Sequence, residues 1–345
     1  LKMGACASEN LGAGEGASYQ LLLLGAGSSG KSTICKQIRL MYGRGLDRGL
    51  LQSFTSLIRG RVVESMQTLL QESVDRSDSK DSKFAVQPEN TAVAEAMLEL
   101  KIEEDSQGLT EKVARDIKQL WEDPGIQTTY ERRSEFNIPE NVDYFMSKIE
   151  EISDPEYIAS TDDALRISSK TSGLVTTHFE YNDTGFTLID VGGQESERRK
   201  WAAAFKSATS VLFIAAISSY NQWFYNKKNK LVDALELFEQ LVNLPELRHT
   251  SFVLFLNKID VFKEKIRRTP LTVCPALKEY EGNERDLNAA TRYIEGKFLE
   301  KNKDSKREVF SHITCAIDQK NVRKIFEGVI ETVIGNALTA GGLIG

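Results

Sequence analysis

The chain has 345 residues, 41% of them hydrophobic, with 44 basic against 50 acidic side chains and a formal net charge of −6. That length suits two domains and that apolar share can fill two cores, whereas the acidic balance argues against general nucleic-acid binding, which wants a basic surface. No apolar run approaches the roughly 18 residues of a membrane span. Four cysteines without paired spacing, in a sequence with no secretory signal, point to a reducing compartment, and three isolated histidines offer no metal constellation.

In chain order, Met3-Gly4-Ala5-Cys6-Ala7-Ser8 fits the myristoylation pattern M-G-x-x-x-[ST], with Gly4 as acceptor and Cys6 suited to a palmitoyl group as second anchor. Leu1 and Lys2 precede the methionine, keep Gly4 from becoming the N-terminus and read as vector residues. Glycine density over 11–17 disfavours a helix, so 1–18 is expected to be flexible. Leu21-Leu22-Leu23-Leu24 then reads as a buried strand, and Gly25-Ala26-Gly27-Ser28-Ser29-Gly30-Lys31-Ser32-Thr33 completes a G-x-x-x-x-G-K-[ST] phosphate loop. Ile34 and Ile38 share one face of the helix that follows. A phosphate would sit on backbone N–H groups at that helix N-terminus, where the dipole favours negative charge. The nucleotide contacts are Gly27, Ser28, Ser29, Gly30, Lys31, Ser32 and Thr33, with Lys31 reaching the β- and γ-phosphates and the Ser32 hydroxyl on Mg²⁺.

Residues 45–160 contain helical periods and no convincing strand. Leu50, Phe54, Leu57, Ile58, Val62, Met66, Leu69 and Leu70 mark a long amphipathic helix; Val113, Ile117, Leu120 and Trp121 mark another, and Val142, Phe145, Ile149 and Ile152 a third. The Ser/Asp/Lys-rich stretch 75–83 reads as an exposed loop. Beyond the helices, 177–181 is expected as an antiparallel edge strand preceding a strand at 186–191. The latter ends in Asp190-Val191-Gly192-Gly193-Gln194, a D-x-x-G segment in which Asp190 would hold Mg²⁺ through water, the Gly193 N–H would meet the γ-phosphate and Gln194 would orient an attacking water. A further apolar strand at 252–256 leads into Asn257-Lys258-Ile259-Asp260. This N-K-x-D pattern suits guanine, because a carboxylate accepts from both the ring N–H and the exocyclic amine, a lysine stem covers the base and the asparagine ties the loop to the phosphate loop. Read alone, the segment could equally be a polar loop with Asp260 capping a helix. Thr314-Cys315-Ala316 follows the last strand, and its backbone, Ala316 included, would contact the base edge. The cations of 263–268 read as a solvated face. Strands ending at Gly25, Val191, Ala216, Leu256 and Thr314 give a mostly parallel sheet with helices on both faces and the site at the strand ends. In that order and setting the motifs describe a guanine-nucleotide-binding domain.

From about residue 19 to 344 the chain resembles the α subunits of heterotrimeric G proteins. About 140 residues separate Lys31 from Thr171, where a small Ras-type GTPase has a short connection, and an all-helical insert at that point is the family's hallmark. The resemblance implies an α/β P-loop GTPase (Ras-like) domain with a mostly parallel six-stranded sheet, formed by 19–44 and 161–345, plus an inserted all-α helical domain at 45–160 that packs over the nucleotide. Thr171-Ser172-Gly173 resembles the first switch, with the Thr171 hydroxyl on Mg²⁺, and 190–201 the second. GTP would be hydrolysed to GDP with Gln194, Lys31 and Thr171 as catalytic residues, Leu165 and Arg166 among the nucleotide contacts, and Ser32, Thr171 and, via water, Asp190 holding the Mg²⁺. The closing helix, with Val322, Ile325, Phe326, Val329, Ile330 and Val333 on one face, resembles the family's receptor-coupling helix. Implied partners are a βγ dimer, a seven-helix receptor, effectors and GTPase-activating regulators at the switches, and, through lipid, the cytoplasmic face of the plasma membrane; nucleic acid is not among them.

The departures from that family touch the machinery. The family's catalytic arginine, three residues before the switch threonine, is Ser168 here, and the loop glutamate that pairs with it is Ser28. The change predicts slow hydrolysis and, with the latch gone, easier nucleotide escape; the alternative function is a GTP-dependent binding module with negligible turnover. The glycine-rich 11–17 replaces the helix that docks on βγ, Ala202-Ala203-Ala204 replaces bulkier contacts, and Glu195 reverses a charge the family usually keeps positive. The end of the chain, 340–345, has no cysteine for ADP-ribosylation, and its glycines predict a flexible segment until a receptor orders it.

Overall fold

The computed structural model describes residues 18–77, 81–101, 109–169, 171, 173–224, 226–283 and 285–340. They fall into two compact units, a helical one spanning 46–169 and a second built from 18–45 together with the described residues beyond 169. Gly4, Cys6 and the glycine-rich segments at both ends lie outside the described residues.

The second unit is organised by six strands: β1 (Tyr19–Leu24), β2 (Leu174–Tyr181), β3 (Thr184–Val191), β4 (Ser210–Ala216), β5 (Ser251–Asn257) and β6 (Val309–Ile313). Their order across the sheet is β2-β3-β1-β4-β5-β6. Every neighbouring pair is parallel except β2 with β3, as a mostly parallel sheet with one antiparallel edge requires. Asn182 (φ 49°) and Asp183 (φ 59°) join that hairpin; two successive left-handed residues match the twist of the flanking strands, and Asn and Asp tolerate them. β2 begins at Leu174, three residues earlier than the apolar pattern suggests, because Leu174 pairs with Val191 and backbone pairing continues although Leu174 and Val175 remain exposed.

Successive side chains of a strand point to opposite faces, so the run of leucines in β1 feeds two cores. Leu22 and Leu24 join Val211, Phe213 and Leu254 against helices Lys230–Val242 and Leu287–Leu299. Leu21 and Leu23 join Leu212, Ile214 and Phe255 against Lys31–Tyr42 and Gln319–Ala340, the latter through Val322, Phe326 and Val329. Each fully buried leucine contributes about 2 kcal/mol of apolar burial. The register Leu23↔Asp190 and Leu24↔Phe213 sets the loop after β1 beside the end of β3.

The helical unit is built on Arg48–Ser77, with Glu111–Trp121 and shorter helices around it. Phe54, Ile58, Val62, Met66, Leu69, Ile117, Leu120, Phe145 and Ile152 form its core, and no strand occurs among its described residues. Two details depart from expectation. The long helix runs to Ser77, into the stretch expected as loop, and Phe84 beyond it is buried. The third expected helix is two, Val142–Ser147 and Ile149–Ser153, broken at Lys148 (φ −106°, ψ 12°). Lys148 is drawn aside by the fully buried Asp163, whose carboxylate accepts Lys148 Nζ at 2.9 Å, Tyr144 Oη at 2.8 Å and Tyr157 Oη at 2.9 Å. Asp163 also closes a capping box with Ser160 at the start of Thr161–Arg166, a helix that belongs to this unit.

Candidate functional site

The phosphate loop is held open by glycines where nothing else fits. Gly30 (φ 103°) precedes the helix, and a Cβ there would strike the Asn257 carboxamide; a Cβ on Gly25 (φ 144°) would overlap the Ile214 carbonyl oxygen. Ser28 also adopts a left-handed φ of 61° and points its side chain to solvent. Ser29 is buried and its Oγ has no hydrogen-bond partner, while Thr33 sits in the first turn of the helix, directly after Ser32. Lys31 is buried, and its Nζ donates to the Gly25 and Ala26 carbonyls, each at 2.9 Å. Burial pulls this ammonium down to about 8, against the attraction of Asp190. Gly193 closes over the same point: a Cβ on it would overlap Lys31 Nζ and lie 2.7 Å from both loop carbonyls.

Next to Lys31, three oxygen groups converge. Ser32 Oγ lies 2.7 Å from Thr171 Oγ1 and donates to Asp190 Oδ2 at 2.9 Å, and Thr171 Oγ1 donates to the same oxygen at 3.2 Å. Asp190 is 2% exposed, its Oδ1 has no hydrogen-bond partner, and burial raises its pKa against Lys31. A buried carboxylate oxygen left unpaired beside two hydroxyls, all hard oxygen donors, is the kind of set that suits Mg²⁺, which takes few protein ligands and keeps its waters. The residues therefore fit the ion. Among the described residues no cluster of three His, Cys, Asp or Glu side chains could hold a metal.

Asn257, fully buried at the end of β5, ties three loops together. Its Nδ2 donates to the Ser29 carbonyl at 2.8 Å, and its Oδ1 accepts from Ala316 N at 3.0 Å and Thr314 Oγ1 at 3.2 Å. Lys258 takes a left-handed φ of 64° as the cap of helix Ile259–Lys265, so Asp260 lies in the first turn rather than at the cap. The Cys315 thiol is pushed up to about 11 by burial and by Asp260, which stands beside it. Gln37 closes the frame from the first helix, donating to the Ala316 carbonyl at 2.9 Å.

Gln194 is exposed and caps the short helix Glu195–Arg198. Its carboxamide lies against the phosphate loop, 2.8 Å from where a Gly27 Cβ would be. Behind it, Trp201 is buried and donates Nε1 to the Gly192 carbonyl at 2.9 Å, and Arg198 pairs with Asp233 at 2.5 Å. Leu165, Arg166 and Ser168 belong to the helical unit. There Leu165 is buried, the Arg166 guanidinium stacks 4.4 Å from the Tyr144 ring centroid and pairs with Asp162, and Ser168 is exposed. Sequence reasoning missed Gln37, Glu197 and Trp201 Nε1. Gln37 had no local signal, since its partner is 279 residues away; Glu197 could have been noticed only as an acid three residues before Lys200.

A family model described as G-protein alpha subunit matches residues 7–333. The chain is 38% identical over 344 residues to the guanine nucleotide-binding protein alpha-2 subunit of Glycine max, covering 94% of this chain and 90% of that protein. At the same coverage it is 34% identical over 327 residues to the G(o) subunit alpha of Caenorhabditis elegans, and 33% over 326 residues to the G(o) subunit alpha of Locusta migratoria.

Proposed function

Because the chain belongs to the G-protein α-subunit family, we propose that the phosphate loop, the oxygen cluster and the asparagine frame form one site, the seat of its GTP-binding signalling switch. Like the family, the chain is a GTPase. The observation that carries the assignment of roles is the cluster of Ser32, Thr171 and Asp190 within 3.2 Å of one another beside a buried lysine. Ser32 and Thr171 would hold Mg²⁺ directly and Asp190 through water. The ion would neutralise charge on the β- and γ-phosphate oxygens.

The residues of the chain do the rest. Lys31, which now spends its ammonium on two backbone carbonyls, turns it to the β- and γ-phosphates when a nucleotide displaces that contact. The loop N–H groups from Gly27 to Thr33 bind phosphate oxygens at the helix N-terminus. Gly193 offers its N–H to the γ-phosphate, and Gln194, close to Gly27, orients the water that attacks in line. Asp260 reads the guanine N–H groups, the Lys258 stem covers the base, and Ala316, fixed by Asn257 and Gln37, presents its backbone to the base edge.

Intrinsic hydrolysis is slow in this proposal, because Ser168 cannot supply a cation to the developing charge. The switches are read by effectors and regulators, a βγ dimer binds the second switch, helix Gln319–Ala340 couples to a seven-helix receptor, and, in a chain that starts at Met3, lipid on Gly4 and Cys6 would hold it at the cytoplasmic face of the plasma membrane. Among the described residues no helix is long and apolar enough to cross a membrane. The test is competition binding with single-turnover hydrolysis. GDP should displace labelled GDP far better than ADP does, and Gln194→Leu should keep that affinity while losing about 10²-fold in hydrolysis, the scale of a misplaced reactant. Equal competition by ADP would refute the base assignment.

A further inference from the structure

Glu197 lies beyond the D-x-x-G segment, within the stretch 190–201 that resembles the second switch, and it bonds the backbone just after Thr171. Its Oε2 accepts the backbone N–H of Gly173 at 3.0 Å, two residues beyond Thr171. Lys200 in turn binds both carboxylate oxygens at 2.8 Å. Gly192 adds a second tie at the same place. The Gly192 N–H donates to the Gly173 carbonyl at 3.4 Å. A Cβ on Gly192 would lie 2.6 Å from the Thr171 carbonyl and 2.8 Å from Glu197 Cγ. Thr171 and Glu197 thus converge on one point beside Gly192, and Thr171 and Gly173 are held to 192–197 by a charged acceptor as well as by backbone.

We propose that Glu197 is a positioning residue for the metal site: by holding the Gly173 N–H it keeps the Thr171 hydroxyl 2.7 Å from Ser32 and 3.2 Å from Asp190. The inference rests on the reading of Thr171 as an Mg²⁺ ligand. A hydrogen bond to a charged acceptor is roughly twice as strong as a neutral one, and a group that orients a ligand typically costs 10–100-fold in metal affinity when removed. The bland account, a surface ion pair between Glu197 and Lys200, explains less. Such pairs contribute little, and here the lysine is 52% exposed whereas the glutamate is only 18% exposed and directed at a backbone amide.

The test compares the full chain with Glu197→Ala, Glu197→Gln and Lys200→Ala. Two quantities are read: the Mg²⁺ concentration that half-maximally slows GDP release, and hydrogen exchange at the Gly173 amide. Glu197→Ala should raise the Mg²⁺ half-point about 10–100-fold and unprotect the Gly173 amide, while GDP affinity in excess chelator stays that of the parent. Glu197→Gln keeps an oxygen for the same N–H and should recover most of both; Lys200→Ala leaves the bond to Gly173 and should stay within about threefold. A Glu197→Ala protein with the parent's Mg²⁺ half-point and Gly173 protection overturns the role of Glu197 while leaving the metal site standing. A parent whose GDP release ignores Mg²⁺ overturns the metal reading, and this inference with it. If Glu197→Ala does not fold, the Gln variant decides alone: loss of Gly173 protection despite a retained acceptor overturns the proposal.

Discussion

Replacing Asn257 by alanine removes one carboxamide and orphans three buried partners at once. These are the Ser29 carbonyl, which accepts at 2.8 Å, the Ala316 N–H, which donates at 3.0 Å, and the Thr314 hydroxyl at 3.2 Å. Ser29 is 2% exposed, Ala316 6% and Thr314 fully buried, so water does not readily reach them. A buried polar group left unsatisfied costs about 1–3 kcal/mol. Allowing Thr314 to rotate its hydroxyl and the loops to relax, the expected total is about 3 kcal/mol, at the low end of three such costs. That total divides between the stability of the nucleotide-free protein and the affinity for GDP, because the frame orders the phosphate and base loops that the nucleotide also orders. Entirely in affinity it is about 150-fold; entirely in stability it is a fall of about 6–12 °C in Tm for a unit of this size. Isothermal titration with GDP and a thermal melt of the nucleotide-free protein, made on the same preparation, measure both shares. Asn257→Asp is the control: it keeps the acceptor for Ala316 but turns an oxygen on the Ser29 carbonyl, and should recover less than half of the loss. An alanine variant whose GDP affinity stays within about threefold and whose Tm stays within about 2 °C would refute the reasoning, since three buried groups cannot all be orphaned within ~0.6 kcal/mol.

Ser168→Arg should raise single-turnover GTP hydrolysis at least about tenfold; arginine fingers, for which G-protein α subunits are themselves a worked example, reach about 10³–10⁵-fold when fully placed. GDP release measured beside it should slow little, because Ser28 gives the new arginine no carboxylate to latch. Asp163→Asn should destabilise the helical unit by about 2–4 kcal/mol, seen as an earlier melt by circular dichroism, since Lys148 and two tyrosines lose a charged acceptor. Burial alone would raise the Asp163 pKa, but hydrogen bonds from Ser160, Lys148 and Tyr144 prevail and hold it well below the ordinary range. Its contribution is therefore whole above the unfolded value of about 3.9 and is lost as pH falls toward the folded one; the Asn variant should lose that part of the acid dependence below about pH 4.

The phosphate loop, the D-x-x-G and N-K-x-D segments, their chain order and their places at strand ends were all legible in the sequence, because each is local: a strand, a turn with glycine at fixed offsets, a helix start. Residues such as Gly25 and Gly30 announce themselves since glycine alone takes those positive dihedrals freely, beside the Ile214 carbonyl and the Asn257 carboxamide respectively. Periodicity likewise reported the long helix from Arg48, but not where it stopped, because whether Ser77 stays helical depends on packing rather than on propensity. Nothing local foretold the break at Lys148, which follows from a carboxylate 15 residues away. What only the tertiary structure decided is the joining of distant groups: Ser32 with Thr171 across 139 residues, Asn257 with Ser29 across 228, Gln37 with Ala316 across 279. The sequence specifies the donors and acceptors, but their pairing is set by sheet register. It is the parallel alignment of β1 with β3, carrying Leu23 beside Asp190, that brings the lysine, the hydroxyls and the carboxylate into one place.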